Sequence, residues 1–284
     1  MSKQLYKSLL EDFKKSNKSR KSKLAAKYGY SSTKSYQSYL ESMIQSTEDV
    51  EILTDIVIAF DTTGSMSSYI EAVKLHVKSL IPKFFKENPN LKLSVVAFGD
   101  YCDMISKNNF GNAYQVINLT NDENELINFI NNAKNTSGGD IDEFYEVVLH
   151  KIRTETLWRN GSNKSILLIG DYNPHKADYK YYDLELGIDW RQEAKLLLKE
   201  DIKVDTLQIL DGIDWYRELS EITNGVNLLF NNSGRTNDLV HVYNLARGGK
   251  VTKASFVSGM TAAMESGDAE LTNIYKTYSK HIID

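Results

Sequence analysis

Apolar positions along this chain switch between two periods. Ile52 to Phe60 contains Ile56-Val57-Ile58-Ala59-Phe60, a short β-branched run with the pattern of a strand buried on both faces. The next segment, about Ser67 to Phe85, places Tyr69, Val73, Val77, Leu80 and Ile81 at helical spacing, with Pro82 positioned to kink its last turns. Leu91 to Phe98, Ser165 to Gly170, Val204 to Ile209 and Val226 to Phe230 repeat the strand pattern. Val116 to Leu119 is a short edge strand. Glu123 to Lys134, Glu143 to Leu157, Asp189 to Glu200, Trp215 to Thr223 and Asp238 to Ala246 read as helices between them. This alternation predicts an α/β fold, a doubly wound, mainly parallel sheet flanked by helices.

Both ends of the chain depart from that alternation. Residues 3–46 are helical in period throughout. Leu5, Leu9 and Phe13 mark one segment, and Leu24, Ala25 and Tyr28 a second. Tyr36, Tyr39, Leu40, Met43 and Ile44 mark a third, capped by Ser31 or Ser32. Residues 252–284 read as a further helical tail. The expected organisation is a helical extension over 1–48, an α/β domain over 49–250 and a tail over 251–284.

Composition narrows the class. With 284 residues the chain can bury one large or two modest cores, and only three prolines argue against long disordered linkers. The single Cys102 excludes an intramolecular disulfide and reads as a structural thiol. No apolar run approaches the ~20 residues of a membrane span, and the N-terminus lacks a signal-peptide core. The expectation is a soluble cytoplasmic protein without membrane partners. Charge is uneven. Ten lysines and arginines against four acids give residues 1–48 a charge of +6, which leaves −10 for residues 49–284. The basic extension reads either as a helix-turn-helix whose lysines and serines contact nucleic-acid phosphates, or as a small helical cap with solvated lysines. No base-reading pattern of Arg, Asn or Gln stands out in it.

The candidate chemistry lies where the strands end. Asp61-Thr62-Thr63-Gly64-Ser65-Met66 follows the first strand, with oxygen donors at alternate positions, Asp61, Thr63 and Ser65. Hard oxygen donors suit Mg²⁺ (or Mn²⁺), which favours six oxygens at about 2.0–2.1 Å. The competing role for these residues is capping of the next helix. In a parallel sheet the loops at the carboxyl ends of the strands lie together. Two further turns then join the first, Gly138-Gly139-Asp140 and Asp171 after Ile166-Leu167-Leu168-Ile169-Gly170. Carboxylates gathered at one edge repel unless a cation or water lies among them.

These motifs resemble a von Willebrand factor A domain over residues 50–248. The first motif, Phe60-Asp61-x-Thr63-Gly64-Ser65-Met66, and the strand-Asp motif at Asp171 look like that family's metal-ion-dependent adhesion site. Val95 to Asp103, the turn Gly138-Gly139-Asp140-x-x-Glu143 and the pair Pro174-His175 are similar to one branch of the family, which includes domains attached to alpha-kinases. The resemblance implies a metal-dependent protein-binding module rather than an enzyme. Mg²⁺ would be held by Asp61, Thr63, Ser65, Asp140 and Asp171, and completed by an acidic group of a partner protein. Asp100, Tyr101, Tyr172, Asn173, His175 and Tyr179 would form the partner-binding rim. Many members place a threonine ligand in the second loop. Here Thr136 lies too early and Asp140 stands in its place, directly or through water. A third carboxylate implies firmer metal binding and a weaker pull on a partner's acid.

Asp100 and Asp103 also read as solvated loop acids, His175 as a histidine held by backbone, and the tyrosines at 172–182 as either recognition surface or packing. The alternative reading of the centre is a Mg²⁺-dependent phosphohydrolase with Asp61 as nucleophile. Against it, position 63 is threonine rather than a second carboxylate. The chain also has no GxSxG, GxxxxGK[ST] or HExxH motif.

Overall fold

The computed structural model describes residues 3–27, 30–46, 53–105, 112–229, 236–248 and 252–279. The chain forms two compact units, Met1–Ile52 and Leu53–Asp284. In the first, α1 (Lys3–Lys15), α2 (Lys18–Lys27) and α3 (Thr33–Ser46) enclose a small core of Leu10, Phe13, Ala25, Tyr36 and Leu40. Phe13 and Tyr36 meet edge to face at 5.2 Å. Ser32 caps α3 by accepting the Ser35 N–H, as its hydroxyl chemistry predicts. Lys18 and Lys23 are exposed. Tyr28, expected in the second helical segment, and Gly29, which follows it, lie outside the described residues.

The second unit holds β1 (Thr54–Asp61), α4 (Ser67–Glu87), β2 (Leu91–Phe98), α5 (Tyr101–Ile105), β3 (Tyr114–Thr120), α6 (Glu123–Asn132), α7 (Tyr145–Glu155), β4 (Asn163–Gly170), α8 (Trp190–Lys199), β5 (Ile202–Gln208), α9 (Asp214–Ile222), β6 (Asn227–Leu229) and α10 (Thr236–Arg247). Helices α11 (Lys253–Glu265) and α12 (Ala269–Ser279) follow. The sheet order is β3-β2-β1-β4-β5-β6, parallel except for the edge strand β3, which runs antiparallel to β2. The expected mainly parallel, doubly wound sheet is present.

Every residue of β1 is buried. Ile56, Ile58 and Phe60 face one core, with α4, α6 and α10; Val57 and Ala59 face the other, with α7, α8 and α9. That two-sided burial explains the continuous apolar run in the sequence. Phe256, Ala263, Ile274, Tyr275 and Tyr278 of α11 and α12 join the first of these cores. Helix α4 runs unbroken through Pro82. The short helix α5 has no counterpart in the periodicity, because five residues span little more than one turn.

Strand order also explains where a site forms. Connections leave β1 toward β2 on one side, while β4 lies on the other. The order therefore reverses beside β1, and the crevice at such a switch point is where α/β sheets bind ligands.

Candidate metal centre

Asp61 is the last residue of β1 and is fully buried. Its Oδ1 accepts the Thr63 N–H at 2.8 Å, and its Oδ2 accepts the Tyr145 hydroxyl at 2.9 Å. The Thr63 and Ser65 hydroxyls lie 3.3 Å apart on the turn that follows. Asp171 leaves the end of β4 and is buried, with Oδ1 lacking a hydrogen-bond partner among the described residues. The first and third loops thus converge as the topology predicts.

The second loop brings Glu143 to them. Glu143 is 2% exposed, and its Oε2 also has no hydrogen-bond partner among the described residues. A Cβ on Gly138 would stand 3.1 Å from Glu143 Oε1 and 3.3 Å from Thr63 Cβ, so Gly138 lies in the gap between the two loops. Gly138 has φ +71°, a left-handed conformation that suits glycine.

Glu143 precedes α7 instead of starting it. Its N–H donates to the Asn173 carbonyl at 2.9 Å, and its carbonyl accepts the His175 N–H. This bridge to the segment after Asp171 turns the side chain inward. The sequence reads Glu143 as the start of a helix and the last residue of a turn motif, and that motif is the available signal for it.

Asp140 belongs to a different group. It is half-exposed, accepts the Tyr179 hydroxyl at 2.8 Å, and its Oδ1 lies 4.0 Å from His175 Nε2. Among the expected rim residues, Asp100, Tyr101 and His175 are buried, Tyr172 and Tyr179 are half-buried, and Asn173 is exposed. The reading of Asp100 and Asp103 as solvated acids is overturned, since both are fully buried. Asp103 accepts the N–H groups of Asp100, Ser137 and Gly138 and so ties the loop after β2 to the second loop. Thr136 bonds Thr62 through both backbone and hydroxyl, which occupies it structurally. Tyr179 stacks on His175 and Tyr182 is exposed, so the loop tyrosines divide between packing and surface. Cys102 is a half-buried free thiol, pushed up to about 12 by burial and the acids around it.

The electrostatics single out the Asp61 group. Burial, followed in effect by the charge of Asp171, lifts the Asp61 carboxyl to about 7 against the pull of its Thr63 and Tyr145 hydrogen bonds. Burial, then Asp61 and Asp100, lift Glu143 to about 10. Burial also raises Asp171, while the Ser65 hydroxyl pulls the other way. Tyr145 holds the frame. Its oxygen donates to Asp61, and accepts from the Tyr216 hydroxyl at 3.1 Å and the Asp171 N–H at 3.2 Å. A Cβ on Gly170 would overlap the Tyr145 hydroxyl, so a glycine before Asp171 is required for this contact. Asp61, Asp171 and Glu143 are buried carboxylates whose charges act on one another, with the Thr63 and Ser65 hydroxyls on the turn after Asp61, and all of these are oxygen donors of the kind a hard divalent cation takes.

Comparison with known proteins agrees with this fold. No curated protein matches the sequence. Among solved structures, proximal thread matrix protein 1 from the mussel byssus, with a zinc-occupied MIDAS motif, is 17% identical with a TM-score of 0.50. That match covers 74% of this chain and 52% of the other. The pilus adhesin SpaC from Lactobacillus rhamnosus GG is 14% identical with a TM-score of 0.50, covering 72% of this chain and 30% of the adhesin. A conserved hypothetical protein, BatB from Bacteroides thetaiotaomicron, is 14% identical with a TM-score of 0.47, covering 69% and 98%. The chain thus spans nearly all of one such protein, about half of a second and under a third of the third. The family model for the von Willebrand factor type A domain matches residues 55–244, which include both motif loops, the sheet and its helices, and the chain belongs to that family.

Proposed function

We propose that this protein is a metal-dependent protein-binding module whose ion is held by Asp61, Thr63, Ser65 and Asp171, with Glu143 as the second-loop donor. The observation that carries this reading is that Asp61, Asp171 and Glu143 are buried within electrostatic reach of one another, with Asp171 Oδ1 and Glu143 Oε2 lacking a hydrogen-bond partner among the described residues. Mg²⁺ or Mn²⁺ is the cation that such an all-oxygen set favours. When bound, it supplies a positive centre with a coordination position open to an acidic side chain of a partner. Ser65, Gly64 and Asn173 are exposed beside the centre and give that side chain its approach.

The zinc-occupied MIDAS of the mussel protein supports the type of site and leaves the physiological ion to measurement. Placement in the branch found with alpha-kinases rests on the sequence motifs alone. Both oxygens of Asp61 are engaged by fixed donors, which suits a ligand better than a phosphoryl-accepting nucleophile.

Affinity capture from lysate with the wild-type protein, with and without chelator, and with Asp61→Ala tests the reading. The expected result is a partner retained only by wild type in Mg²⁺ and lost in both other arms. A partner set unchanged by chelator and by Asp61→Ala would overturn it. In parallel, titration calorimetry of Glu143→Gln is expected to show Mg²⁺ binding weakened at least about 10-fold.

A further inference from the structure

Beside the Asp61 group lies a second set of donors of different chemistry. Asp100, Asp140 and His175 each offer one ligand atom, and the three atoms lie within 4.8 Å of one another. His175 Nε2 sits 2.8 Å from Asp100 Oδ1 and 4.0 Å from Asp140 Oδ1. Asp100 is fully buried, and its other oxygen, Oδ2, has no hydrogen-bond partner among the described residues. That oxygen points at the second loop, 3.1 Å from where a Cβ on Gly139 would stand, one residue before Asp140. A fully buried carboxylate oxygen without a donor is costly unless something positive meets it.

The surroundings fix the ligands as a metal site requires. Tyr179 stacks on the His175 ring at 3.7 Å and donates its hydroxyl to Asp140 Oδ2 at 2.8 Å, so one side chain orients two donors. Tyr101 meets the imidazole edge to face at 5.2 Å. The backbone N–H of His175 donates to Glu146 Oε2 at 3.1 Å, and the Tyr101 hydroxyl donates to the other oxygen of Glu146, so the segment that carries the imidazole is held in place. The group opens onto a cleft of about 300 Å³ lined by Asp140, Ile141, Asp142, Lys176 and Asp178, which gives an ion a route in. Outer partners of this kind set ligand orientation and typically change metal affinity by about 10- to 100-fold.

We infer that Asp100, Asp140 and His175 form a second divalent-cation site, of imidazole-plus-two-carboxylate type, suited to Zn²⁺ rather than Mg²⁺. The imidazole nitrogen makes the distinction, because Mg²⁺ prefers an all-oxygen shell while Zn²⁺ accepts nitrogen and oxygen in a four-coordinate one. Binding there ties the loop after β2, the second loop and the loop after β4 to one ion. Those same three segments frame the Asp61 centre: Gly138 abuts Thr63 and Glu143, while its neighbour Gly139 abuts Asp100.

The test is titration calorimetry of the full chain with ZnCl₂ in saturating Mg²⁺. One Zn²⁺ per chain is expected, retained in Asp61→Ala. His175→Gln should weaken it at least about 100-fold and Tyr179→Phe about 10-fold. Absence of Zn²⁺ binding in the wild type overturns the site. Binding lost in Asp61→Ala but unchanged in His175→Gln also overturns it, since the ion would then be at the first centre. If His175→Gln fails to fold, Asp140→Asn, at a half-exposed side chain, and Tyr179→Phe decide by the same criterion. Mg²⁺ binding to the wild type, measured alone, reports on the Asp61 centre separately.

Discussion

Strand β1 carries a buried carboxylate at each end, and the two are treated in opposite ways. Asp55, at the start, is fully buried and fully answered. Its Oδ1 accepts Arg159 Nε at 2.7 Å, and its Oδ2 accepts the Arg159 N–H and the Ser162 hydroxyl, each at 2.8 Å. Asp61, at the other end, is equally buried, yet no Lys, Arg or His among the described residues pairs with it, and two more carboxylates lie beside it. Asp205 on β5 repeats the first pattern, paired with Arg247 and accepting the Val226 N–H. At Asp55 and Asp205 the fold therefore supplies an internal arginine to the buried acid. At Asp61 no such cation is present among the described residues, and that end of the strand lies at the sheet edge where an external cation can reach it. A buried charge needs compensation of some kind, so the uncompensated end of the strand is the informative one.

The comparison breaks most visibly if the structural end is disturbed. Arg159→Ala leaves Asp55 buried without its cation and exposes no new site. A loss of about 3–5 kcal/mol is expected in denaturant unfolding, with Mg²⁺ binding by the surviving folded fraction unchanged. Comparable stability of the variant and wild type would show that the two ends do not differ.

The pH dependence sharpens the contrast next. Asp61 and Glu143 have folded values raised to about 7 and about 10, above the ordinary carboxylate value near 4, so the folded state holds protons that the unfolded state releases. Their favourable contribution is complete below about pH 4 and is lost as pH rises through 7 toward 10. In chelator, unfolding experiments at pH 5 and pH 8 should show the protein less stable at pH 8 by several kcal/mol. Mg²⁺ should restore much of that difference, because it binds the deprotonated folded form, and its affinity should rise across the same interval. A metal-free protein whose stability rises from pH 5 to 8 would contradict the assignment.

Tyr145→Phe has a smaller effect. It removes the hydroxyl that bonds Asp61, Tyr216 and the Asp171 N–H, at an expected cost of about 1–2 kcal/mol in stability. A fall of about 10-fold in Mg²⁺ affinity is expected alongside. Smallest of all is the pair Arg191 with Glu218, whose side chains are 54% and 40% exposed. Arg191→Ala should change stability by less than about 1 kcal/mol, since water screens an exposed pair. Thermal melts at low and high salt check this.

Much of the fold was legible because period and burial are linked residue by residue. The run Ile56 to Phe60 could only be a strand covered on both faces, and Asp122 and Asp189 start α6 and α8 by accepting N–H groups of the first turn, as acidic caps do. Asp61, Thr63, Ser65 and Asp171 were legible for the same local reason, since each is fixed by its distance from the end of a buried strand. The edge strand β3 was visible as a strand, but its antiparallel direction was not, because direction depends on the connection and not on the period.

What only the tertiary structure decided is which carboxylate of the second loop faces the centre. Asp140 and Glu143 lie on one turn, and neither spacing nor polarity separates them. The bridge from Glu143 to the 173–175 segment does, by burying one side chain and leaving the other beside Tyr179. The burial of Asp100 and Asp103, and the passage of Tyr145 over Gly170 to reach Asp61, are likewise contacts between loops far apart in the chain. The amino-acid order determines what each segment can become on its own. Which polar group is cut off from water is a property of the assembled loops, and that burial gives the acids their chemistry.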